Sequence, residues 1–217
     1  MSRQPTLPLA QVILEQLREE IISGRMPPGT SLVEAEIQSR FEVSRNTLRE
    51  ALHLLQREGL ATHIRNRGVE VRTLDVDDVT DIFIARRTLE MQALQQCREL
   101  STDDCQQLLK RLTDAYYAYQ SADWQLLGTC SLRFHQHLVS LLGSPTLDQL
   151  FARILAQLRL IFATAPSEEQ FQRPWLERDQ QLYDLLESGH FDAAAQALSA
   201  YLDDSQRIVK QLLTQQP

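Results

Sequence analysis

Arg45 and Arg49 stand four residues apart, with Asn46 and His53 near them and Ser44 and Thr47 at the same end of the run. Four residues is about one helical turn, so on a helix the two guanidiniums are neighbours. Leu48, Ala51, Leu52 and Leu55 mark the opposite, inward face. Guanidiniums at the start of a helix, beside an amide and two small hydroxyls, suit the base edges of the major groove and the phosphates alongside. Arg65 and Arg67, with Gly68 after them, form a second basic group that would reach flanking backbone or minor groove. A solvated, arginine-rich face is the bland alternative for the helix alone. The two groups together favour double-stranded DNA as a partner.

A different set of residues could handle a small ligand. Arg86 lies four residues before Glu90 in an otherwise apolar stretch with Ile82, Ile84, Ala85, Leu89 and Ala93. It would grip an anion bidentately, or it would pair with Glu90 or an acid of another helix. Arg153 and Arg159 offer the same chemistry with less context. His135 and His137 are two apart, which on a helix turns them in different directions, so they are not a chelating pair. His137, His63 and His190 read as surface or loop histidines, and Tyr116, Tyr117, Tyr119 and Trp124 as packing or interface. Cys97, Cys105 and Cys130 form no C-x-x-C pair, which argues against a disulfide framework or thiolate zinc site. The alternative of a helical ligand-binding or metal-dependent enzyme bundle with an incidental basic head finds no support. No nucleophile–base pair, spaced carboxylates or Gly-rich phosphate loop is present, and the chain reads as a non-enzyme.

These groups must be positioned by elements, and the charge already separates them. The 217 residues carry a formal charge of −7, but residues 1–72 are net +1 and residues 73–217 net −8. Residues 40–72 hold seven arginines against four acids and no lysine. With 43% apolar and 24% charged residues the composition is that of an ordinary globular chain. No apolar run is long enough to span a bilayer, the N-terminus has no signal-peptide stretch, and a reducing cytoplasm fits the cysteine usage. Two domains are expected, 1–74 and 75–217.

The fold class expected is mainly α: an N-terminal winged helix-turn-helix followed by a C-terminal all-α helical bundle. Apolar residues at Leu9, Ile13, Leu17 and Ile21 predict a first helix that Gly24 and Pro27-Pro28-Gly29 end. Leu32 to Phe41 reads as a second helix, and Ser44 as the cap of a third that Gly59 stops. Leu60–Ile64 and Val69–Arg72 read as strands joined by a turn at Arg65-Asn66-Arg67-Gly68. Beyond Asp75 only helices are expected, near 76–99, 102–120, 122–142, 146–164, 168–188 and 191–213. The breaks fall at Ser101, Ser121, Gly143-Ser144-Pro145, Pro166 and Gly189.

The residues Ile22-Ser-Gly-Arg-Met-Pro-Pro-Gly-Thr-Ser-Leu-Val-Glu-Ala-Glu-Ile, Val43-Ser-Arg-Asn-Thr-Leu-Arg-Glu-Ala-Leu and Leu55-Gln-Arg-Glu-Gly-Leu resemble the DNA-binding domain of the GntR superfamily of bacterial transcription regulators. The resemblance implies DNA-reading roles for Arg45, Asn46, Thr47 and Arg49, with Gly68 at the wing tip. Where fatty-acid-responsive members carry a DNA-contacting Arg, this chain has Ala35. Asp78 to Glu90, Phe134-His135 and Glu187 to Ala194 are similar to the FadR-like branch, whose effector domain is the all-helical FCD fold. Six helices point to its shorter, VanR-like subgroup. This resemblance implies a homodimer, a palindromic operator, and a small organic acid effector that alters DNA affinity, by default relieving repression. It also implies a divalent metal held by an Asp and three His, but at those positions stand Ser131, His135, Asp179 and Tyr201. The effector candidates are therefore Arg86, Ser131, His135, Asp179 and Tyr201. No cofactor is certain: a metal here would have His135 and Asp179 at most, and otherwise His135 meets the effector directly.

Overall fold

The computed structural model describes residues 8–162, 165 and 167–214, and the chain divides between Thr73 and Leu74 into two compact units. The first begins with α1 (Leu9–Ile22), which buries Ile13, Leu14, Leu17 and Ile21 and ends before Gly24 at φ 75°. α2 (Glu34–Phe41) follows, then α3 (Arg45–Arg57), then β1 (Ala61–Ile64) and β2 (Gly68–Val71). The expected second helix starts two residues late. Leu32 lies outside the helix, its N–H donating to the Val69 carbonyl, while the Gly29 N–H donates to Val71 and the Val71 N–H donates to Thr30 along the far side of β2. That segment follows two prolines, and its backbone groups are satisfied by the strand rather than by a helical turn.

α3 buries Leu48, Ala51, Leu52 and Leu55 against α1, α2 and β1. The wing pairs antiparallel with Ala61 opposite Val71 and Ile64 opposite Gly68. Its turn is therefore the three residues Arg65, Asn66 and Arg67, with Asn66 left-handed at φ 67°. Gly68, expected within the turn, opens β2 instead.

The second unit holds α4 (Val76–Gln96), α5 (Thr102–Gln120), α6 (Trp124–Ser140), α7 (Pro145–Phe162), α8 (Glu168–Glu187) and α9 (Phe191–Thr214). Its helix starts are set by short polar side chains. Asp75 and Asp78 form a reciprocal capping box, and Ser101, Asp123 and Ser167 each accept an early backbone N–H. Pro145, expected to break the chain, is the first residue of α7, where a missing N–H costs nothing. α4 stops three residues early because Cys97 is extended, and α6 starts two residues late behind its Asp123 cap. The expected break at Pro166 and the end of a helix at 164 fall outside the described residues. Pro174 lies inside α8. α6 packs against α4, α5, α7 and α8, which makes it the spine of the unit. No helix among the described residues is long and apolar enough to cross a membrane.

Candidate functional site

In the N-terminal unit Ser44 is extended and its hydroxyl accepts the Thr47 N–H at 3.1 Å, with the Thr47 hydroxyl 2.8 Å away. This cap fixes where α3 begins and leaves the first-turn N–H groups pointing outward. Arg45, Asn46 and Arg49 are exposed on that end, opposite the leucine face. The guanidiniums are not free, however. Arg45 Nε and Arg49 Nε each donate to the Glu34 carboxylate at 3.3 Å, from the first residue of α2. Slight burial works against ionisation of Glu34, and the bonds from Arg45 and Arg49 outweigh it, so its carboxyl sits below the usual range. Ala35 is exposed beside it. Arg65, Asn66, Arg67 and Gly68 are all exposed at the wing.

The second constellation lies within the helical unit. Arg86, Glu90, His135 and Asp179, from α4, α6 and α8, are each at most 1% exposed. Arg86 Nε donates to Glu90 Oε1 at 2.8 Å, and His135 Nδ1 bonds Glu90 Oε2 at 2.5 Å. His135 Nε2 faces Asp179 Oδ1 at 3.4 Å, but the two are not aligned for a hydrogen bond, and both atoms are buried without a protein partner. Burial alone would lower the pKa of His135, and the flanking carboxylates of Glu90 and Asp179 overturn that and raise it. Burial pushes Glu90 up, and Arg86 with His135 brings it below its ordinary value. The Ser131 and Tyr201 hydroxyls lie 3.3 Å apart, and the Tyr201 ring sits 4.7 Å from both His135 and Trp175. Burial, then the charge of Asp179, pushes the Tyr201 phenol well above its usual range.

The five effector candidates thus lie in one cluster: Asp179 and Tyr201 flank the His135 ring, Arg86 reaches it through Glu90, and Ser131 meets the Tyr201 hydroxyl. Glu90 completes them, and of the two roles open to Arg86 the pairing with Glu90 is realised. Nothing local in the sequence ties Glu90 to His135 across 45 residues. Arg153 is exposed on α7, whereas Arg159 is buried and donates to Glu168 at 2.8 Å. His137, expected at the surface, is half-buried with Nε2 at 3.3 Å from Asp104, in a cleft of about 450 Å³ that Arg111 and Arg133 also line. Tyr116 and Tyr117 are exposed and line a groove of about 810 Å³ between α5 and α8.

The donor set does not fit a divalent ion. Glu90 and Asp179 lie on opposite nitrogens of the imidazole and so cannot converge with it on one point. Among the described residues no three His, Cys, Asp or Glu side chains are arranged to hold a metal. One ring nitrogen, one carboxylate and two neutral hydroxyls are a weak set for any first-row ion.

Residues 9–71 match the model for bacterial regulatory proteins of the gntR family, and residues 81–204 match the FCD domain. The crystal structure of a GntR transcriptional regulator from Rhodococcus sp. RHA1 is 33% identical, superposes with a TM-score of 0.89, and covers 96% of this chain and 99% of its own. The HTH-type transcriptional repressor RspR of Escherichia coli K12 is 26% identical over 96% of this chain and 92% of its own length. The galactonate operon transcriptional repressor of the same strain is 24% identical over 95% of this chain and 99% of its own. The winged unit with its capped arginine helix and the helical unit that follows it in sequence therefore have one explanation: the chain belongs to the GntR family of bacterial transcriptional regulators, with the FCD domain of the FadR-like architecture.

Proposed function

We propose that the protein is a cytoplasmic, homodimeric, non-enzymatic repressor that binds a palindromic operator and is modulated by a small organic acid. The observation that carries this reading is the exposed group Arg45, Asn46 and Arg49 at the Ser44-capped start of α3, together with the exposed arginine turn of the wing in the same unit. Arg45 and Arg49 meet base edges or phosphates, Asn46 a base edge, Ser44 and Thr47 neighbouring phosphates, and Arg65, Arg67 and Gly68 the flanking backbone or minor groove. Repression, rather than activation, is supported by the names of two relatives that match over most of the chain. The DNA-binding domain spans 1–74 and the effector domain 75–217, consistent with the division after Thr73. Six helices in the effector unit favour the VanR-like subgroup.

The effector site is the group Arg86, Ser131, His135, Asp179 and Tyr201, without a metal. Galactonate, in the name of one relative, is a small hydroxylated acid and supports an acid of that kind here. Binding works by linkage: the acid prefers one arrangement of the dimer's two heads, and its differential affinity alone shifts operator occupancy. Fluorescence anisotropy on promoter fragments at moderate salt tests the core of the reading. Sequence-selective binding that galactonate or a related acid weakens is expected; no fragment bound above a scrambled duplex would sink it.

A further inference from the structure

The seam between α6 and α8 carries buried polar atoms at two levels. At one level stand His135 and Asp179, with Arg86 behind Glu90; at the other stand Gly128 and Gln172. Each pair of positions is seven residues apart on its helix, so the levels lie about 10 Å apart, two turns along the same seam. Gln172 is 1% exposed and rests directly on α6: a Cβ on Gly128 would lie 2.5 Å from its Nε2. Arg159 approaches the same end of α6, donating to the Gln125 carbonyl at 3.4 Å and to Glu168, one turn before Gln172. Between the levels the Ser131 and Tyr201 hydroxyls face each other.

The unsatisfied atoms differ in kind between the levels. Gln172 Nε2 and Arg159 Nε, both buried without a protein partner, are donors only. The His135 level offers Arg86 Nη2 and His135 Nε2 together with an acceptor, Asp179 Oδ1. Arg86 and His135 there already face two carboxylates that are fully buried, whereas Arg159 faces one, Glu168, whose side chain keeps 17% exposure, so a further anion is harder to place at the His135 level, next to Asp179. A hydroxyl, which both donates and accepts, satisfies that level without adding charge. The Gln172 level lies near the N-terminal turns of α6 and α8, whose dipoles favour a negative group. Buried polar atoms of this kind are rare unless something completes them.

We propose that the seam takes an elongated, hydroxylated acid whose carboxylate is held by Arg159 and Gln172 and whose hydroxyls run past Ser131 and Tyr201 to His135 and Asp179. This rests on the effector reading and deepens it. It reverses the obvious orientation, in which the acid head would meet Arg86 and His135.

Calorimetry or thermal shift on the full chain tests it with two probes: galactonate, and galactitol, which has the hydroxyls but no acid. The readout is the ratio of the two affinities, because a merely structural effect lowers both alike. Wild type is expected to favour galactonate at least tenfold. Gln172→Met, which removes the amide at similar volume, should collapse that preference. Gly128→Ala, which displaces the amide and leaves it intact, should do the same in a differently built protein. Asp179→Asn should weaken both probes and leave the ratio unchanged. A ratio that survives Gln172→Met and Gly128→Ala but rises in Asp179→Asn places the acid beside His135 and overturns the orientation alone. Failure of wild type to bind either probe, while it still binds operator, overturns the acid-effector reading and the orientation with it.

Discussion

At the scale of single residues, Glu34 and Glu90 change what their arginine partners mean. Spacing placed Arg45 and Arg49 on one outward face, and it did not reveal that a carboxylate from the preceding helix bridges both. Glu34 is an internal competitor for the groups proposed to contact DNA. Arg45→Ala and Arg49→Ala should each weaken operator binding by roughly 5- to 150-fold, the value of about 1–3 kcal/mol for a base contact, as read by anisotropy titration. Glu34→Gln should strengthen binding to operator at least as much as to scrambled DNA; no gain on operator would deny the competition. Within the helical unit, Arg86→Ala leaves Glu90 buried beside a single partner. Breaking such a pair costs about 3–5 kcal/mol, a fall of roughly 10 °C in melting temperature for a unit of this size. His135 adds a pH dependence whose direction is fixed. Its pKa is raised in the folded unit, so its stabilisation is complete below the ordinary value of 6.5 and is lost as pH rises through the folded value. Glu90, lowered, contributes above its ordinary 4.5 and loses that as pH falls through the folded value. Urea midpoints of wild type should therefore decline from about pH 6 towards alkaline pH, and His135→Gln should flatten that limb.

At the scale of elements, most boundaries were readable because capping chemistry is local. Ser44, Asp75, Ser101 and Ser167 each sit where a short polar side chain can accept the first free N–H, and each does. Ser44→Ala should lower the stability of the winged unit by about 1 kcal/mol, measured by the denaturation midpoint of a fluorescent reporter on α3. The misreadings have equally local causes. Leu32 looks like helix because it is apolar at a helical interval, but its N–H is claimed by Val69 of a strand more than thirty residues on. The Ser131, His135, Asp179 and Tyr201 group is implied by family resemblance; of the residues that complete it, the sequence offers Glu90 only as a partner of Arg86 and Arg159 only as a weaker anion candidate, and it does not single out Gln172. Glu90, Gln172 and Arg159 reach the seam from three helices, α4, α8 and α7. No periodicity within one helix encodes contact across three.

At the scale of the whole molecule, the uneven charge has a measurable consequence for DNA. Residues 40–72 are only net +3, and Arg45 and Arg49 already pair with Glu34. If those two arginines spend themselves on bases, Arg65 and Arg67 remain for phosphates, about four contacts in the proposed dimer. The logarithm of operator affinity should then fall with the logarithm of salt with a slope near −4, shallow for a dimeric regulator. A slope near −8 would mean that the recognition helix binds mainly phosphates. The net charge of −7, taken alone, hides this, because the −8 resides in residues 73–217.

Pro174 bears on how that second unit breathes. Lacking an N–H, it leaves the Gln170 carbonyl without its helical donor, so α8 is short one hydrogen bond between its start and its middle. Gln172 sits in the turn so weakened, while Asp179 lies beyond it, buried and facing His135 at 3.4 Å. The helix should therefore fray as a zip with a fixed lower end. In hydrogen–deuterium exchange the amides of residues 171–173 should trade with solvent faster than those of residues 179–186, although both stretches are equally helical. A molecule entering the seam would find its door at that upper end, and its arrival should be recorded first as slowed exchange there.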